Sequence, residues 1–147
     1  MTSLAFAAIM HCSVLAGGQN YDEAYRLAAE TGQPLVVLVG AEWCPACQGM
    51  KQTVVPQLVR RGSLKKVSFA AVNTDRQSGL AGKLMRASSI PQLIMYVKTD
   101  KGWSRREMIG LQSVSAIEEF LDQGVEMSAR PSTVREVKVA QDESVAQ

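Results

Sequence analysis

The sequence predicts an α/β fold, a central mixed β-sheet flanked by helices on both faces. Three observations predict it. Leu35 to Val39 is an unbroken aliphatic run, the pattern of a strand buried on both sides. Val67 to Val72 (VSFAAV) repeats that pattern, and a helical stretch links the two. Gln92 to Val97 and Trp103 to Ile109 then flank Thr99-Asp100-Lys101-Gly102, a polar turn ending in glycine that suggests an antiparallel hairpin.

The remaining elements follow in order. Tyr21 to Thr31 reads as a helix, with Asn20 as its cap, Asp22 and Glu23 at its positive end, and Gly32 and Pro34 as its stop. A second helix starts near Cys44 and runs to about Val55, where Pro56 ends or kinks it. Gln57 to Arg61 adds a short turn before Gly62. Arg76 to Ala87 is a third helix, weakened by Gly79 and Gly82, and Val114 to Leu121 is a last one that Ser113 caps. The order α-β-α-β-α-β-β-α requires helices on both faces of the sheet.

The chain of 147 residues suits one domain with one core. The boundaries read as 20–127 for the domain and 128–147 for a polar tail containing Pro131. Residues 1–19 form either a signal segment or a first strand. Leu4 to Ala16 is apolar but shorter than the roughly 20 residues that span a bilayer. It has the length of a signal's apolar region and ends in small residues, yet no Lys or Arg precedes it. The reading leans to export, to a periplasmic or envelope location, over a cytoplasmic one. Hydrophobic residues at 46% and charged residues at 20% argue against disorder. The densest basic stretch, Arg60, Arg61, Lys65 and Lys66, lacks interleaved aromatics, so it reads as a solvated helix end and not a nucleic-acid site.

Three cysteines are too few for a disulfide-stapled scaffold. Two of them, in Trp43-Cys44-Pro45-Ala46-Cys47, follow the buried strand and open a helix. Cys44 then sits where free backbone N–H groups and the helix dipole favour a thiolate. Thiols in such places have pKa values about one to five units below the free value near 8.5. Cys47, one turn later, reaches Cys44 to close a disulfide but is shielded by the helix. Cys44 is therefore the attacking sulfur and Cys47 the resolving one. Pro45 is tolerated because its missing N–H needs no partner in the first turn.

With these residues in view, the sequence resembles the thioredoxin superfamily. AEWCPAC matches that family's active-site turn. Ile90-Pro91 resembles its cis-proline loop, and Ile109-Gly110 its third active-site loop. The resemblance covers about Tyr21 to Gly124. It implies a thioredoxin-like fold and dithiol–disulfide exchange with protein disulfides and a separate redox partner. The chain is expected to be a monomer with no organic cofactor, no metal and no membrane span in the mature domain. Catalysis falls to Cys44 and Cys47; substrate binding falls to Trp43, Ile90, Pro91 and Gly110, with the Ile90 backbone bonding a substrate strand.

Two departures stand out. Where typical thioredoxins carry a buried Asp that accepts the resolving thiol's proton, this chain has Leu38, and Ala71 replaces the Lys that partners it. Glu42, water or the leaving sulfur must take that proton instead. The competing readings are a non-catalytic interaction module of the same fold and a zinc site built from His11, Cys12, Cys44 and Cys47. Adjacent His11 and Cys12 reach one metal only with strain, and drift to a module usually removes a cysteine or the proline. The Glu42 carboxylate reads as an ordinary surface group, and Met50, Met85, Met95 and Met108 as core.

Overall fold

The computed structural model describes residues 20–129. The stretch from Met1 to Gln19, with His11 and Cys12, and the tail beyond Ala129 lie outside it, so the signal-or-strand reading and most of the tail reading do too.

Helix α1 (Tyr21–Thr31) is capped as its ends dictate. Asn20 accepts the Asp22 N–H at 3.3 Å, and Gly32 takes the left-handed conformation that stops the helix. Strand β1 (Leu35–Gly40) follows at once, buried along its whole length. Beyond it come α2 (Pro45–Gly49), a π-helical stretch (Met50–Val54) and α3 (Val55–Arg61), joined without a break in helical backbone. Of the two outcomes expected at Pro56, an end or a kink, the structure excludes the end. Val55 N–H bonds back to Met50 O, the wider π spacing, and Pro56 falls in the first turn of α3. The π turn falls where the proline's ring and missing N–H would break regular helical bonding, and the rod continues to Gly62.

A 3-10 turn (Ser63–Lys66) leads to β2 (Ser68–Asn73). Helix α4 (Ser78–Leu84) is shorter than the expected Arg76 to Ala87, in keeping with its two glycines and the turn at 74–76. Strands β3 (Gln92–Thr99) and β4 (Gly102–Ile109) form the hairpin, and α5 (Val114–Ala129) closes the domain, well past Leu121.

The sheet order is β2-β1-β3-β4, with β1 parallel to β2 and antiparallel to β3, and β3 antiparallel to β4. This is the mixed sheet with helices on both faces. Alternate β1 side chains serve opposite layers. Val36 and Leu38 pack with Met50, Val54 and Leu58 of the rod and Ile117 and Leu121 of α5. Leu35, Val37 and Val39 pack with Ala24 and Ala28 of α1 and Ala81 and Leu84 of α4. Fully burying such aliphatic side chains stabilises by about 1.5–3 kcal/mol each, so the inner strand is the mechanical centre. The basic stretch is a helix end tied to α5: Arg61 pairs with Glu118 at 3.0 Å and Lys66 with Asp122 at 3.2 Å.

Register decides where the site lies. Val39 pairs with Gln92, and Gln92 pairs with Ile109. The end of β1, the start of β3 and the end of β4 therefore meet at one end of the sheet. The loops that carry Cys44, Pro91 and Gly110 leave from that end.

Candidate active site

Cys44 and Cys47 are joined in a disulfide, with Cα atoms 5.2 Å apart. Cys44 is the N-cap of α2, and its sulfur accepts the Cys47 backbone N–H at 3.2 Å. A sulfur in this position has a donor already aimed at it when it becomes a thiolate. Cys47 is 1% exposed and Cys44 5%, with Ala41, Ala46 and Ile90 packed around them. Gly40 lies behind Cys47, where a Cβ would stand 2.9 Å from the Cys47 sulfur. The end of β1 can approach the disulfide only because residue 40 has no side chain.

The other residues singled out in sequence converge on Cys44. The Ile90–Pro91 peptide bond is cis, and the Ile90 carbonyl oxygen lies 3.9 Å from the Cys44 sulfur. Gly110 N–H donates to the Pro91 carbonyl at 2.8 Å, which ties the third loop to the second. Trp43 is 69% exposed, with its indole N–H held by Asp75 at 3.1 Å. Ile109 and Leu111, on either side of Gly110, are exposed aliphatic residues at the same end of the sheet. Trp43, Ile109 and Leu111 leave an exposed apolar rim at the end of the sheet where Cys44 caps α2.

Behind the disulfide is a cavity of about 210 Å³. Cys47, Leu38 and Ala71 form part of its wall, and Glu42, Lys51 and Arg76 also line it. Leu38 and Ala71 are direct register partners on β1 and β2. No carboxylate stands at this apolar end of the wall; Glu42 is the one acidic side chain lining the cavity among the described residues. Its Oε1 accepts from Lys51 at 3.2 Å and from Asn73 at 3.4 Å. The hydrogen bond and charge of Lys51 hold the Glu42 carboxyl below its ordinary value. Sequence reasoning passed over Lys51, Asn73, Asp75 and Gln92. For Gln92 alone there was a signal, an amide opening an otherwise apolar strand directly after a proline.

A family model described as thioredoxin-like matches residues 17–97. The chain belongs to that family. The solution structure of a thioredoxin from Thermus thermophilus matches with a TM-score of 0.63 at 24% identity, covering 74% of this chain and 87% of that one. Chloroplastic thioredoxin z gives 0.60 at 21% identity, over 77% and 96%. Trxlp from Edwardsiella tarda gives 0.56 at 28% identity, over 71% and 96%. At such identities the likeness is one of fold. No curated protein matches the chain. A thioredoxin fold carrying a Cys44–Cys47 disulfide supports a thiol–disulfide oxidoreductase kind of function.

Proposed function

We propose that the protein exchanges its Cys44–Cys47 dithiol with disulfides of protein substrates. The Cys44 thiolate attacks one sulfur of a substrate disulfide. That S–S bond breaks, the other substrate sulfur leaves as a thiolate, and a mixed disulfide joins Cys44 to the substrate. Cys47 then loses its proton and attacks the Cys44 sulfur. The second substrate sulfur leaves, and two electrons have passed to the substrate as Cys44–Cys47 closes. Run backward, the same steps oxidise a substrate. The direction depends on the reduction potential relative to the compartment and the redox partner.

The observation that carries this reading is the place of Cys44: the cap of α2, with the Cys47 N–H on its sulfur and the Ile90 carbonyl beside it. An extended substrate strand would bond the Ile90 backbone and rest on Trp43, Pro91 and Gly110, with the exposed Ile109 and Leu111 widening the apolar rim.

Proton release from Cys47 is the harder step, because burial disfavours its thiolate. Leu38 and Ala71 have no basic atom, and Glu42, already holding Lys51 and Asn73, is a weak base. The cavity, at about 210 Å³, has room for several water molecules. Water there takes the proton, and resolution quickens as hydroxide becomes available.

The test is turnover of a disulfide-bonded protein such as insulin with a dithiol donor, alongside the reduction potential in a glutathione series. Catalysed reduction supports the reading. A protein that shows a normal disulfide yet no turnover with either donor or acceptor would overturn it.

A further inference from the structure

Gln92 is fully buried, at 0% exposure, and opens β3 directly after the cis-proline. Its side-chain Nε2 donates to two carbonyls, Ala87 O at 2.7 Å and Ser89 O at 2.8 Å. Its Oε1 has no partner among the described residues. The amide orientation is not arbitrary, since a flip would set its oxygen against both carbonyls. Its backbone is anchored on both sides, by Val39 of β1 and Ile109 of β4.

Burying half an amide without a partner costs free energy. Ala87 and Ser89 are exposed residues of the segment between α4 and β3, which has no helix or strand, and their carbonyls turn inward onto the buried Gln92 amide. What Gln92 adds is a fixed height for that segment over the end of the sheet. The segment ends in Ile90, whose carbonyl stands 3.9 Å from the Cys44 sulfur.

We infer that Gln92 is a positioning residue. Its amide clamps the Ala87 to Ser89 backbone so that Ile90 meets an extended polypeptide bound at Cys44. The inference rests on the proposed exchange with protein disulfides and adds to it a determinant of selectivity. Polypeptide substrates that bond the loop depend on Gln92. Small disulfides that touch only the sulfur depend on it far less.

The experiment compares the full chain with Gln92→Met, which keeps the volume and removes both donors. Substrates are insulin and a small aryl disulfide. Turnover of both by the unmodified protein is the check on the underlying reading, so a failure there is seen before any variant is made. The loss of kcat/KM should be about fivefold larger for insulin than for the aryl disulfide, the size of one lost hydrogen bond, and should reside in KM. Gln92→Asn, too short to span both carbonyls, should repeat the pattern. Equal losses on both substrates, a loss confined to kcat, or no loss would overturn the inference. So would failure of both variants to fold, because Gln92 would then be holding the domain and not the loop.

Discussion

The backbone N–H of Cys47 points at the sulfur of Cys44, 3.2 Å away, whereas the Cys47 sulfur faces Gly40 inside the domain. The two thiols of the reduced protein are therefore unequal. Cys44 should alkylate with iodoacetamide at least tenfold faster than Cys47 near neutral pH, since the thiolate is the nucleophile. Peptide mapping after a short pulse checks this. Faster labelling of Cys47 would reverse the assigned roles.

Leu38 faces Ala71 across β1 and β2 in the wall of the cavity that Cys47 lines. Resolution of the mixed disulfide should be slow at neutral pH and rise with pH. Leu38→Asp should move that profile to lower pH by placing a base beside the thiol. It should also destabilise the fold by several kcal/mol or stay protonated, because Ala71 offers no countercharge. Stopped-flow kinetics across pH, with chemical denaturation, checks both effects. A fast, flat profile in the unmodified protein would mean that another base already serves Cys47.

Gly40→Ala places a Cβ 2.9 Å from the Cys47 sulfur and 3.1 Å from its Cβ. Neither atom is the end of a long, pliant side chain, so the active turn must shift. A stability loss of about 1–3 kcal/mol is expected from overpacking, together with slower closure of the disulfide. Denaturation of the oxidised and reduced forms checks it, and the oxidised form should suffer more.

Much of this was legible in the sequence because local physics and tertiary context agree there. Asn20 and Gly32 bound α1 as capping residues should, and Ser113 accepts the Ala116 N–H at 3.2 Å at the start of α5. The β1 run reads as an inner strand and is one, and Trp43-Cys44-Pro45 after it marked the cysteine at the helix start. Pro56 does not end the helix, and the π turn just before it is invisible to pattern reasoning. The length of α5 was missed for a different reason. Gly124, three residues past the expected end, is buried inside the helix, and the Met95 side chain fills the space that a Cβ there would take. Loop anchors such as Gln92 depend on carbonyls several residues away, and only the folded chain brings those together.

The contact between Met95 and Gly124 yields a test of packing alone. Gly124→Ala gains about 1 kcal/mol of helix propensity but forces the buried Met95 thioether to move. Overpacking of about 1–3 kcal/mol outweighs the gain, so a net loss near 1 kcal/mol is expected, with turnover of the folded protein retained. A more stable variant would show that Met95 swings aside freely.

The central claim, attack by Cys44 with resolution by Cys47, is tested most directly by trapping. Each single variant, Cys44→Ser and Cys47→Ser, is incubated with a disulfide-bonded protein and analysed by intact mass under non-reducing conditions. Cys47→Ser should accumulate a covalent adduct through Cys44 that a dithiol reverses, and Cys44→Ser should form none. An adduct through Cys47 in the Cys44→Ser protein, with none in the other, would contradict the account.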